Sequence, residues 1–276
     1  FALTVWEEGS GPGPNGAFGA ARRADAAGAI VLESTVRSAA RMDVHAGCRG
    51  ILRADLLVRG RSGHSSRPDL ADNALYRALD FARLFREHFT PHTLPAAEFN
   101  ILGHPLRAQC VATLTEIEAL QGRNVIPGRC VLGMDCRLNP GQDHRPVLRR
   151  IETLAREFGR GMIRLHDIRV IPGHLCRDET LLQACRSAAA ANGFRAAIGL
   201  LDGRADSAIF QNTGGIPSVI FGPGVAEQAH TPDESLVLPW FYRSAQACLD
   251  AVLHLAGEAP CPRPAPPRRR PVRKSS

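Results

Sequence analysis

Two adjacent carboxylates, Glu7 and Glu8, follow the apolar run 1–6 and precede the glycine-rich stretch Gly9-Ser10-Gly11-Pro12-Gly13. A third acid, Glu33, closes a second apolar run, 29–32. Far downstream, Gly222-Pro223-Gly224 leads to Gln228-Ala229-His230-Thr231-Pro232-Asp233-Glu234. Acids at strand ends together with one late histidine supply the donors that a divalent metal needs in a hydrolytic site. Successive residues of an extended chain point to opposite sides. One member of the Glu7–Glu8 pair could therefore bind a metal while the other stays free to take a proton from metal-bound water. Glu33 sits at a strand end, where ligands gather in open α/β sheets. His230 lies in a loop flanked by small residues and suits zinc. Taken singly, each of these side chains reads more readily as a solvated surface group, and only their combination points to a metal site.

Three further polar residues could act on a substrate. His64, in Gly63-His64-Ser65-Ser66-Arg67-Pro68, occupies a strand-to-helix turn and could donate to a developing oxyanion. Asn124 lies in Asn124-Val125-Ile126-Pro127, and Arg137 lies on the polar face of an alternating strand. A guanidinium there could grip a carboxylate with two parallel hydrogen bonds, or form an ion pair with Asp135. A competing pattern is Gly11-Pro12-Gly13-Pro14-Asn15-Gly16, which fits the G-x-G-x-x-G layout of a dinucleotide site with Glu33 as its acid. Glu7 and Glu8 argue against it, because they would repel a pyrophosphate.

The elements that must hold these residues follow from periodicity. Apolar runs at 1–6 and 29–33 flank an alanine-rich helix over 15–27, a β-α-β start. Residues 51–59 and 130–138 alternate as half-buried strands, and 110–118 and 163–171 read as two more. Helices are expected from about 72, with Leu75, Ala78, Leu79, Ala82, Phe85 and Phe89 on one stripe, and over 143–158. The order β-α-β-β-α-β is the ferredoxin-like signature. Residues 91–109, rich in proline and other breakers, read as loop or irregular strand. Beyond it, a helix capped by Asp178, strands near 195–200 and 217–221 and a helix over 236–256 return to the first unit. The expected domains are 1–47 (catalytic, first part), 48–171 (ferredoxin-like lid), 172–258 (catalytic, second part) and a basic, disordered tail over 259–276.

The formal net charge of +7 suggests nucleic acid until it is located. Six of those charges, Arg263, Arg268, Arg269, Arg270, Arg273 and Lys274, lie in the tail, so no basic binding face is implied. No apolar run is long enough for a membrane span. Eight cysteines without a C-x-x-C pair point to a reduced, cytoplasmic setting.

In combination and order, these motifs resemble the zinc-dependent amidohydrolase family of acetylornithine deacetylase, succinyl-diaminopimelate desuccinylase, aminoacylase and the carboxypeptidase G enzymes, from Phe1 to about residue 255. The resemblance implies Glu7 as general base and Glu8, Glu33 and His230 as metal ligands. It implies two zinc ions, or cobalt or manganese in their place, per complete site. His64 would reach the active site of a partner subunit across a homodimer formed by the lid, and Asn124 and Arg137 would hold the substrate carboxylate. The implied reaction is hydrolysis of an amide in an N-acyl amino acid or a small peptide-like substrate. The family's His-x-Asp pair is missing: none of the ten histidines has aspartate at its second following position. The chain is therefore expected to begin part-way through the catalytic domain, to bind zinc weakly and to hydrolyse little by itself. The alternatives are a non-catalytic dimerisation protein of the same fold and, further off, a dinucleotide-dependent oxidoreductase.

Overall fold

The computed structural model describes residues 16–225, 228 and 232–258. The first strand expected at 1–6, Glu7, Glu8, most of the G-x-G-x-x-G stretch, His230 and the tail lie outside the described residues. The chain enters through α1 (Gly16–Arg23), shorter than the helix expected over 15–27, then β1 (Ala29–Ser38), β2 (Arg41–Met42) and β3 (Val44–Cys48). A second unit follows: β4 (Gly50–Arg59), β5 (Gly63–His64), α2 (Ala74–His88), β6 (Ala96–Ile101), β7 (His104–Gln109), β8 (Val111–Glu118), β9 (Val125–Ile126), β10 (Arg129–Leu138), α3 (Arg145–Gly159) and β11 (Ile163–Ile171). The chain then returns through β12 (His174–Leu175), α4 (Glu179–Ala191), β13 (Ile198–Leu201), α5 (Ser207–Gly214), β14 (Ser218–Val225) and α6 (Leu238–Leu255).

The second unit is a four-stranded antiparallel sheet in the order β11-β4-β10-β8. Numbered by its own strands this is 4-1-3-2, the arrangement that a βαββαβ chain gives. Alternation puts Leu52, Ala54, Leu56 and Val58 of β4, and Cys130, Leu132, Met134, Cys136 and Leu138 of β10, on one buried face. Two helices cover it. Helix α2 buries Ala74, Ala78, Phe81 and Phe85 at helical spacing, and α3 buries Val147, Ile151, Ala155 and Gly159. Each large side chain so buried contributes roughly 1.5–3 kcal/mol.

The start of α2 is fixed by Asn73, whose Oδ1 accepts from the backbone N–H of Leu75 at 3.0 Å and of Tyr76 at 3.4 Å. Asn73→Ala leaves both donors without this partner and is expected to cost about 1 kcal/mol of stability, read as a lower urea midpoint.

Residues 96–109 depart from the expectation of loop or irregular strand. They form a regular antiparallel hairpin, β6 against β7, from Ala96↔Gln109 to Ile101↔His104. Its two-residue turn is Leu102 (φ 51°) and Gly103 (φ 77°), both left-handed, as the twist of a two-residue hairpin requires. Pro105 faces Asn100 in this isolated ribbon, where a strand has a free edge and a missing N–H is tolerated.

The other sheet is mixed and six-stranded, in the order β12-β3-β14-β1-β2 with β13 also on β3. Strands β1 and β14 run parallel, and β3 runs antiparallel to β14. Its core gathers Val44, Ala46, Val219 and Phe221 with Leu182, Cys185 and Ala189 of α4 and Ala247, Cys248 and Ala251 of α6. Asp178 caps α4 as expected, accepting from Leu181 N at 2.8 Å. No helix among the described residues is long and apolar enough to cross a membrane.

Candidate functional site

The candidate residues fall into three local groups. The first surrounds Glu33. Glu33 lies in the middle of β1 rather than at its end, because the strand runs on past the apolar residues to Ser38; it is irregular on either side of Ser34, which pairs with Gly222. The hydroxyl of the fully buried Thr35 donates to Gly222 O and accepts from Gly222 N, each at 3.2 Å, and so pins the two strands at this point. The approach is too close for side chains. A Cβ on Gly222 would lie 2.6 Å from Glu33 O, and one on Gly224 would lie 2.4 Å from Ser34 Oγ. Gly224 also has φ 110°, a conformation that favours glycine. The glycines of Gly222-Pro223-Gly224 thus press the end of β14 onto the Glu33–Ser34 segment. An open cavity of about 530 Å³ lies here, lined by Ser34, Pro223, Gly224, Glu234, Leu236 and Phe241 among others.

The second group joins His64 to Asn124. Strands β5 and β9 form a short antiparallel ladder in which His64 pairs with Val125, and Ser65 N donates to Asn124 O at 3.0 Å. Both residues are exposed. The Nδ1 of His64 accepts the backbone N–H of Ser66 at 3.2 Å and lies 2.8 Å from Ser66 Oγ. In the neutral ring the proton is therefore on Nε2, which makes that atom an outward-facing donor.

The third group is an ion-pair cluster on the polar face of β10. Arg137 Nε donates to Asp135 Oδ1 at 2.7 Å, and Arg53 Nε donates to Asp135 Oδ2 at 2.9 Å. Of the two roles open to Arg137, the pairing with Asp135 is the one formed in the isolated chain. It engages Nε and, at 3.5 Å, Nη2. Two guanidiniums on one carboxylate leave the cluster one positive charge in excess.

Thr35 and Ser66 support the site without having been singled out in the sequence, whereas Asp135 is expected there only as an ion-pair partner of Arg137. Asp135 had a readable signal, since residues i and i+2 of a strand share a face. Thr35 and Ser66 act through contacts that only the folded chain defines.

A ferredoxin-like unit inserted between the two parts of an α/β sheet is the architecture that the chain shares with known proteins. Residues 46–162 match the family model of the M20 peptidase dimerisation domain. The chain is similar to acetylornithine deacetylase from Myxococcus xanthus, 27% identical over 218 residues, which cover 76% of this chain and 54% of the relative. It thus spans about half the length of the curated relative that it matches. Among solved structures it resembles aminopeptidase PepT of Bacillus cereus, with a TM-score of 0.62 and 17% identity over 92% of this chain and 63% of the other. It also resembles the di-peptidase Dug1p of Saccharomyces cerevisiae, with a TM-score of 0.64 and 12% identity over 84% of this chain and 59% of the other. These structures share the fold expected from the sequence.

Proposed function

We propose that the chain is part of a metal-dependent amidohydrolase that cleaves the amide of an N-acyl amino acid or a small peptide-like substrate. The observation that carries this reading is the seating of Gly222-Pro223-Gly224 on the Glu33 segment beside an open cavity, within a chain similar to a deacetylase. The proposed domains are 1–47 and 172–258 for catalysis and 48–171 for lid and homodimer contact, with 259–276 a tail. The proposed setting is the cytoplasm, where the seven described cysteines would stay as the free thiols they are in the fold.

Glu7 is the proposed base, and Glu8, Glu33 and His230 the proposed ligands of zinc. No group of three His, Cys, Asp or Glu side chains among the described residues could hold a metal. Glu33 is the one proposed ligand among them and does not by itself make a metal centre, so no step is routed through one. The described side chains have roles of their own. His64 donates from Nε2 to an oxyanion that builds up as the amide is attacked. The remaining Nη1 of Arg137 holds a substrate carboxylate, while Asp135 keeps the guanidinium plane fixed; Asn124, which stands with His64 beyond the opposite end of β10, joins it only across the proposed homodimer.

The test is hydrolysis of N-acetyl amino acids by the purified chain with and without zinc. Slow, zinc-dependent turnover is expected, lost in Glu33→Gln. Arg137→Lys is expected to raise KM by roughly tenfold, about 1.4 kcal/mol of binding, because lysine cannot keep both Asp135 and a carboxylate in a planar fork. Turnover indifferent to chelator and to Glu33→Gln would overturn the reading. Complete inactivity of a dimeric chain would favour the second reading, a non-catalytic dimerisation protein, which the match of a family model to residues 46–162 also fits.

A further inference from the structure

The two sheets are joined by two chain crossings and by the β6–β7 hairpin. The crossings lie side by side. A Cβ on Gly50, where β3 passes to β4, would sit 2.7 Å from Gly173 N, and a Cβ on Gly173, where β11 passes to β12, would sit 2.5 Å from Gly50 N and 2.6 Å from Cys48 O. Two backbones packed glycine against glycine make a single narrow neck. Such a neck resists separation, but with glycine at both close approaches it is gripped from the six-stranded side chiefly by Asn212, whose Nδ2 donates to Pro172 O at 3.2 Å, and it opposes rotation less than a packed joint would.

The hairpin supplies a third attachment. Its foot belongs to the four-stranded unit: Leu94 and Cys110 are buried in that core. Cys110 N donates to Pro95 O at 3.0 Å, and Asn139 Nδ2 donates to the same oxygen at 3.0 Å. Its tip belongs to the six-stranded unit. Ile101 is 4% exposed within that core, and Leu102 and Leu106 pack against it. Strands of six residues carry the tip about 17 Å from the foot, far enough to reach past the neck. Arg49, at the neck, closes the arrangement. Its backbone N donates to Gly203 O at 3.1 Å, its Nε lies 3.3 Å from Asp202 Oδ1, and its Nη1 donates to Gln109 O at the hairpin foot.

We infer that the β6–β7 hairpin is a strap that fixes the orientation of the ferredoxin-like unit on the six-stranded sheet and turns a rotatable neck into a rigid joint. The apolar tip gives the strap its hold. Anchored in one core and inserted in the other, it lets the units rotate only by withdrawing Ile101 from apolar contact. The strap thereby sets where His64, Asn124 and Arg137 stand relative to the Glu33 segment, whether or not that segment takes part in hydrolysis.

Native-state hydrogen exchange on the purified full chain tests this. In the wild type, amides of Ile101–Gln109 should exchange at least about a hundredfold more slowly than in an unstructured peptide. In Ile101→Ser/Leu106→Ser, exchange at Gly50, Ile51 and Gly173 should rise by about tenfold or more, while β10 and β14 keep their protection, and small-angle scattering should show a broader particle. Unchanged exchange at the neck in a folded variant overturns the proposal. If that variant does not fold, Leu106→Ala and the wild-type hairpin decide it: hairpin amides exchanging at free-loop rates sink the strap.

Discussion

Gly47→Ala should leave no stable six-stranded unit. Strand β3 is buried along its whole length, between β12, β13 and β14. At Gly47 it lies so close to β12 that a Cβ would be 2.2 Å from His174 O and 3.1 Å from Leu175 Cα. Both are backbone atoms, and no rotamer change can clear them. Relief requires β12 to move outward. That movement breaks the bond from Cys176 N to Ala46 O at 2.6 Å and withdraws His174 from its partners on both sides. A methyl that forces backbone apart inside a packed sheet is expected to cost about 4 kcal/mol or more, a large part of the 5–15 kcal/mol that holds an ordinary domain. The control is Gly193→Ala. There φ is 76° but nothing lies within 4 Å of the added carbon, so only the cost of a left-handed alanine, about 1–2 kcal/mol, applies. Urea unfolding followed by circular dichroism should rank the two in that order. A Gly47→Ala protein as stable as Gly193→Ala would mean that β12 does not pack on β3 as described.

What could be read in advance followed a physical division. The ferredoxin-like unit was legible because its strands are half-buried and its helices amphipathic. Leu52, Ala54, Leu56 and Val58, and the stripe through Ala78 and Phe85, carry their own periodicity. Strand β3 was not, because Val44-His45-Ala46-Gly47-Cys48 is covered on both faces, has no alternation, and includes a histidine and a glycine. The β6–β7 hairpin was hidden by residues that usually break strands. Pro105 and Asn100 face each other in it, and the Leu102–Gly103 turn lacks the usual asparagine or aspartate. Helix α5 escaped notice because eight residues with few large apolar groups give no stripe. At the candidate site, the pairing of Arg137 with Asp135 could be read from their spacing on one strand face. The meeting of His64 with Asn124 could not, since a ladder of two residues per strand joins segments some sixty positions apart. The glycines at 222 and 224 were noticed as a motif, but their reason, a backbone pressed onto Leu32–Ser34, is tertiary.

The stability of this fold should fall between about pH 6.5 and pH 4, with His174 a principal cause. Its imidazole is 2% exposed. Nε2 faces Ser218 O at 3.1 Å, a carbonyl that can only accept, so the ring proton sits on Nε2. Nδ1 then accepts from the Cys48 thiol at 3.3 Å, and burial raises the pKa of that thiol and keeps its proton in place. A second ring proton would point at an S–H that already donates. It would put a cation among buried strands, with a carbonyl and a thiol rather than a carboxylate as the ring's hydrogen-bond partners. Burial accordingly lowers the His174 pKa from 6.5 to about 4. The unfolded chain takes up this proton as pH drops through 6.5, whereas the folded chain resists until about pH 4. Across that window the unfolded state binds more protons, so stability declines with falling pH and the effect levels off below the folded value. The full loss is about 3 kcal/mol. His174→Gln isolates it, because every other group titrates in both proteins. The variant should be less stable than wild type at pH 7.5, since it leaves the Ser218 and Cys48 partners poorly matched, and that deficit should shrink by about 2–3 kcal/mol by pH 4.5. Parallel urea titrations at the two pH values decide the matter. A deficit that stays constant would show that the imidazole is charged in the fold or exchanges freely with solvent, and neither is compatible with a ring enclosed by β3, β12 and β14.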